Sequence, residues 1–197
     1  MSSNIPFRID ALILAGGQGS RLGGRDKGLM PWRGRPIASR LAELLRPLCN
    51  ELLISCNRNQ NQYGFWADHL VGDAAPDYPG PLAGILAGLQ SCRGTHLLVV
   101  PCDLPRLERP LLEDLLHQAL EVPGQPCLAR TGEDWQPLVC VLPRTTLPAL
   151  ERFWEGGGRA PLRWLLAQQH SILQLPAFDP RLANANLPAD WEANQQG

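Results

Sequence analysis

The stretch from Ala11 to Met30, ALILAGGQGSRLGGRDKGLM, holds the densest chemistry in the chain. Half of the residues from Ala15 to Gly24 are glycine, and Arg21, Arg25 and Lys27 add three cations. Glycine lets a backbone approach a ligand closely, so that successive N–H groups converge on an anion. A guanidinium fork grips phosphate oxygens in pairs, and an ammonium meets them as a point charge. Glycines and cations after an apolar run suit the phosphates of a nucleotide; flexible linkers alternate glycine with serine and rarely carry such charge. Two carboxylates stand further along, Asp103 between Pro101 and Pro105, and Asp73 in GDAAPDYPGP. One carboxylate and two or more phosphates are the usual ligands of Mg²⁺. Each residue has a plainer reading too: Asp103 could cap a following helix, Asp73 could be a turn residue, and Lys27 could be a solvated lysine.

Two familiar phosphate loops are excluded. A Walker A loop needs G-x-x-x-x-G-K-[ST], but Lys27 follows Asp26 and precedes Gly28. A dinucleotide fingerprint needs G-x-G-x-x-G, and here the third glycine is replaced by Leu22. That fingerprint also wants an acidic residue after the second strand, where this chain has Ser55-Cys56-Asn57. No Ser/His/Asp or Cys/His set stands out. The six cysteines are scattered without a C-x-x-C pair and the four histidines are isolated, which disfavours a structural zinc site.

The elements that must position these residues alternate between strand and helix. Ala11 to Leu14 reads as a strand buried on both faces. A turn from Met30 to Arg35 leads to Pro36, a helix-starting proline, and Ile37, Leu41, Leu44, Leu45 and Leu48 follow at helical spacing until Pro47 ends or bends the helix. Further strands are expected over 51–55, 68–71, 95–100, 127–130 and 138–142, and helices over 81–91, 110–120, 146–154 and 161–169. The pattern predicts a single domain over 1–197, an α/β three-layer Rossmann-like fold with a mainly parallel central sheet. Ligands of such sheets sit beyond the carboxyl ends of the strands. The expected strand ends lead into the glycine loop, Ser55, Asp73 and Asp103, which places all four on one rim.

Composition limits the partners. A chain of 197 residues can bury roughly 70% of its unfolded surface. A net charge of −1 provides no global field for nucleic acid or acidic lipid. No apolar run approaches the ~20 residues of a membrane span, and MSSNIPFRID lacks an apolar signal region. A cytoplasmic protein with reduced, mostly buried cysteines is expected. The six tryptophans read as core or lid packing, with stacking on a flat ligand ring as the other use.

The opening LAGGxGxRLGGxDKGL resembles the signature of nucleotidyltransferases, and its Gly-Gly-Arg-Asp-Lys-Gly-Leu part is similar to molybdenum cofactor guanylyltransferases. The segments DAAPDYPGPLAG (73–84), PCDLP (101–105) and NANLP (184–188) resemble that family in the same order. The resemblance implies a nucleotidyltransferase fold and transfer of GMP from GTP to molybdopterin or molybdenum-molybdopterin, with pyrophosphate leaving. It implies nucleotide contacts at Leu14, Ala15, Gly16, Gly17, Lys27, Ser55, Asp73 and Asp103, catalytic roles for Arg21, Lys27 and Asp103, and Mg²⁺ on Asp103. It also implies other proteins of cofactor synthesis and recipient molybdoenzymes as partners. Ser55 stands where the family usually has Asn, and a hydroxyl makes fewer hydrogen bonds than an amide. Gln136 stands where a His tends to precede the proline. Cytidylyl transfer to the same pterin, a sugar-phosphate nucleotidyltransferase, and a non-catalytic nucleotide-binding regulator or cofactor chaperone are the competing readings.

Overall fold

The computed structural model describes residues 7–17, 24–72, 80–186 and 190–191. The first apolar run forms β1 (Ile9–Leu14), buried along nearly its whole length. A tight hairpin of β2 (Pro31–Trp32) and β3 (Arg35–Pro36) leads into α1 (Ile37–Leu45). Pro36 is therefore the last hairpin residue rather than the first helical one. Pro47 falls in a 3₁₀ turn that closes α1. β4 (Leu52–Ser55), α2 (Gln60–Tyr63), β5 (His69–Val71), α3 (Pro81–Ser91), β6 (His96–Pro101) and α4 (Arg109–Glu121) follow. Then come β7 (Cys127–Thr131), β8 (Asp134–Pro143), α5 (Leu147–Glu155), α6 (Pro161–Leu166) and β9 (Ser171–Leu175).

Seven strands form one sheet in the order β5-β4-β1-β6-β8-β7-β9. Only β8 runs against the rest, antiparallel to both β6 and β7. β1 pairs in parallel with β4 on one side and β6 on the other, Leu14 lying opposite both Ser55 and Pro101. The chain thus steps from β1 outward through β4 and β5, then returns to the other flank of β1 as β6. That reversal opens a crevice beyond the carboxyl ends of β1 and β6, the place where doubly wound sheets bind ligands.

Helices cover both faces, giving the three layers. Ile37, Leu41 and Leu45 of α1 and Leu111, Leu112 and Leu115 of α4 bury against one face with Ile13, Ile54 and Val100. On the other face, Leu82, Ile85 and Leu89 of α3 meet Leu12, Leu53 and Val99, with Leu150 and Trp164 beside them. α3 lies unusually close to the strands. A Cβ on Gly84 would stand 2.7 Å from Ser55 Oγ and 2.9 Å from Leu14 Cδ2, distances that real Cβ atoms do not adopt. Among the described residues no helix is long and apolar enough to cross a membrane.

Candidate active site

Lys27 sits at the start of a 3₁₀ turn, Lys27–Leu29, that is held from below by a carboxylate. Asp26 Oδ1 accepts from the Gly28 backbone N–H at 3.2 Å and from Tyr63 Oη–H at 2.5 Å. Its Oδ2 accepts from Asn59 Nδ2 at 2.9 Å and lies 3.7 Å from Arg58 Nε. Burial, and then this hydrogen bond to Asp26, hold the Tyr63 phenol above its ordinary range, so it stays a donor at any working pH. A Cβ on Gly28 would run into the Tyr63 ring. Asp26 and Tyr63 therefore fix the DKG turn. The sequence carried a signal for half of this, since Asp two residues before a turn N–H is a favoured local acceptor, but nothing in it pointed to Tyr63.

The turn aims Lys27 across the crevice. Its Nζ lies 2.8 Å from Asn186 Oδ1 and 3.4 Å from Asp103 Oδ2. The Lys27 and Asp103 side chains keep 21% of their surface open to solvent. Asp103 follows β6 and does not cap a helix, because α4 begins six residues later behind Glu108. The backbone around it is used instead: Ala185 N–H donates to Asp103 C=O at 2.8 Å. That bond brings the NAN segment onto the rim, and Asn186 is the residue there to which spacing alone gave no role.

At the end of β1, Leu14 C=O accepts from Cys102 N–H at 3.1 Å and Ala15 N–H donates to Ser55 C=O at 2.8 Å. Gly17, by contrast, is exposed, and a Cβ there would meet nothing within 4 Å. Among the described residues nothing would pack against a side chain at Gly17. Ser55 is buried, with its Oγ against Gly84 of α3. Gln136 donates from Nε2 to Thr131 Oγ1 at 3.2 Å in the β7–β8 hairpin. Arg21 and Asp73 lie outside the described residues.

The thiols play no part in this chemistry. All six cysteines are free. Burial pushes Cys56 up to about 11 and raises Cys102 too, keeping both neutral. Among the described residues no three His, Cys, Asp or Glu side chains group as metal ligands. Among the described residues the rim holds the Asp103 carboxylate, the Asn186 amide oxygen and the Lys27 ammonium. The first two are hard oxygen donors of the kind that shares Mg²⁺ with substrate phosphates and water, and the ammonium is a cation suited to phosphate oxygens.

Comparison with known proteins gives the family. The model of the MobA-like NTP transferase domain matches residues 11–172. A molybdenum cofactor guanylyltransferase of Pseudomonas fluorescens is 48% identical over 183 residues, covering 93% of this chain and 92% of that protein. One from Pseudomonas aeruginosa is 49% identical over 177 residues, covering 90% and 89%. The solved structure of molybdopterin-guanine dinucleotide biosynthesis protein A from Archaeoglobus fulgidus superposes with a TM-score of 0.74 at 20% identity, covering 95% of this chain and 97% of that one. The structural likeness speaks to the fold, and the sequence relatives to the family. The chain belongs to the MobA-like NTP transferases, within the molybdenum cofactor guanylyltransferases.

Proposed function

We propose that this chain transfers GMP from GTP to molybdopterin, forming the guanine dinucleotide of the cofactor and releasing pyrophosphate. The observation that carries the reading is the Lys27 ammonium. It is braced between Asp103 and Asn186 at the β1/β6 switch point, directly after a glycine-rich, cationic loop.

In the reaction a terminal phosphate oxygen of molybdopterin attacks the α-phosphorus of GTP. The new P–O bond forms as the bond from the α-phosphorus to the bridging oxygen breaks, and pyrophosphate carries away the electron pair. A phosphate monoester is already anionic near neutral pH, so no strong general base is needed. The protein must supply position and charge neutralisation. Lys27 and Arg21 stabilise charge on the departing pyrophosphate. Glycine amides of the loop orient the phosphates, and Asp73 lines the nucleotide site. Asp103, with Asn186 beside it, would hold Mg²⁺, which supplies further charge neutralisation at the phosphates. Because Leu14 C=O and Ala15 N–H already serve the neighbouring strands, base recognition by backbone falls to the residues just beyond, around Gly16 and Gly17.

The test is to incubate the protein with molybdopterin, Mg²⁺ and each nucleoside triphosphate in turn and to measure pyrophosphate release. GTP should exceed CTP and ATP by at least ~100-fold in kcat/KM, since each polar group left unpaired by a wrong base costs about 1–3 kcal/mol. Equal or better use of CTP would overturn the guanylyl assignment.

A further inference from the structure

Beside the rim lies a second concavity, a cavity of about 260 Å³ whose wall includes Trp32, Arg33, Arg40, Arg106, Glu108 and Arg181. Four guanidiniums face one carboxylate there, in a protein whose net charge is −1. Arg181 is already matched to Asp179, its Nη2 lying 2.6 Å from Oδ2. Arg40 is less well served: its Nη2 donates to Leu107 C=O at 2.8 Å, but its Nη1 is buried with no hydrogen-bond partner among the described residues. Burial, together with the nearby Arg33 and Arg35 charges, depresses the Arg40 pKa. A buried donor with no acceptor is unfavourable, and an anion that reached it would supply the missing acceptor.

Arg33 supplies an independent sign. It occupies the first position of a two-residue turn joining Trp32 to Arg35, with φ of 47° at Arg33 and 78° at Gly34. Such turns demand positive φ at both positions, which is why Asn-Gly is preferred. Arginine has no conformational advantage there. The hairpin carries it at a cost in backbone strain, and strain of this kind gathers at ligand sites. Trp32 stands edge-on to Trp191 at 6.3 Å and 84°, which holds the hairpin wall in place.

We propose that this pocket is a second phosphate site, separate from the nucleotide's phosphates, that takes a phosphate-bearing anion through Arg33 and Arg40. All three of its walls hang from the segments that build the rim. Trp32 lies five residues after Lys27, Arg106 three after Asp103, and Arg181 five before Asn186. A phosphate held there stands beside the transfer site. Its source is either an acceptor phosphoester arriving or pyrophosphate leaving. The site does not depend on which base is transferred.

The test is equilibrium binding, by calorimetry, of inorganic phosphate, pyrophosphate and β-glycerol phosphate to the full chain saturated with GTP and without acceptor. Saturable binding that weakens at least ~10-fold in Arg33→Asn and in Arg40→Gln supports the site, that being the scale of one charge-assisted contact. Affinity for GTP should stay unchanged in both. Arg33→Asn guards against misfolding, because asparagine favours positive φ and the melting temperature should hold or rise. Tighter binding of pyrophosphate assigns the pocket to the product, and comparable binding of the monoester assigns it to the acceptor; both support a phosphate site. Binding unaltered by either substitution, or no saturation by any of the three anions, would overturn it.

Discussion

The two ends of the central strands each carry an aspartate, and the two are treated in opposite ways. At the amino end, Asp10 of β1 is fully buried. Its Oδ2 accepts from the backbone N–H groups of Arg93 and Gly94 at 2.8 and 2.7 Å, with the Cys92 thiol at 3.5 Å. At the carboxyl end, Asp103 stays partly open and meets a cation from the opposite side of the crevice. One carboxylate closes a turn through a single oxygen, Oδ2. The other is held in reserve beside solvent. A charged residue surrounded by backbone N–H groups serves the fold, while one facing mobile charge and open space is fit to act on a ligand.

Substituting each residue in turn would break or sharpen this contrast. The largest effect is expected at Asp103. Asp103→Asn should lower turnover at least ~100-fold, the scale of losing one strong electrostatic contact, while the melting temperature moves by only a few degrees. Near-normal turnover at saturating Mg²⁺ would remove Asp103 from the machinery. Asp10→Ala should do the reverse. It leaves the buried Gly94 N–H and the part-buried Arg93 N–H without their acceptor and should cost about 2 kcal/mol in denaturant unfolding, with kcat/KM per folded molecule unchanged.

Tyr63→Phe tests an intermediate case, a buried carboxylate that shapes the site without touching the chemistry. Loss of the hydroxyl from Asp26 should cost about 1.5–2 kcal/mol of stability and weaken GTP binding together, because the DKG turn loosens. A stability loss with GTP affinity intact would separate Asp26 from the site. Asn186→Ala should reduce kcat/KM about tenfold with little change in melting temperature, the size of one hydrogen bond to a charged group. Wild-type kinetics in that variant would show that Lys27 needs no brace.

The smallest effect concerns the amino end again. His96 is buried, and its Nε2–H donates to Pro123 C=O at 2.8 Å. Burial depresses its pKa, a shift the Pro123 carbonyl only partly offsets. Between the ordinary imidazole value near 6.5 and the lower folded value, the unfolded chain binds the proton and the folded chain resists it. His96 therefore supports the fold above about pH 6.5, and that support is lost as pH falls through the folded value. Unfolding measured at pH 7.5 and 5.5 should show a drop of under about 1 kcal/mol that His96→Gln removes; an equal drop in the variant would assign it elsewhere.

Much of this was legible because buried parallel strands and proline-started helices write themselves plainly. THLLVV ends one residue before β6 does, and α3 spans Pro81 to Ser91 as its apolar spacing requires. The edge of the sheet was less legible. β9 is only partly buried, so SILQL shows neither a continuous apolar run nor a clean alternation. β8 pairs with β6 only from Cys140 onward, and it begins four residues before the expected strand, with DWQP, whose charge, amide and proline are unlike a core strand. The Arg33–Gly34 pair lacks the Asn-Gly signal of a hairpin, so 30–35 reads only as a turn. Lys27 and Asp103 could be expected near one rim because the loops that follow strands are local features. Asn186 was not assigned a role because its partner is 159 residues away, a distance no periodicity reports.

That separation also sets a schedule. Lys27 leaves the ribosome early, and the amide that braces it is synthesised 159 residues later. Closing so long a loop must wait for the intervening strands to dock, and the entropic cost is met only when they do. During synthesis the glycine loop and its cation therefore exist for most of the elongation time without the complete crevice around them. The complete rim forms only as the segment carrying Asn186 docks, so a ligand that needs Lys27, Asp103 and Asn186 together is taken up after folding rather than by the nascent chain.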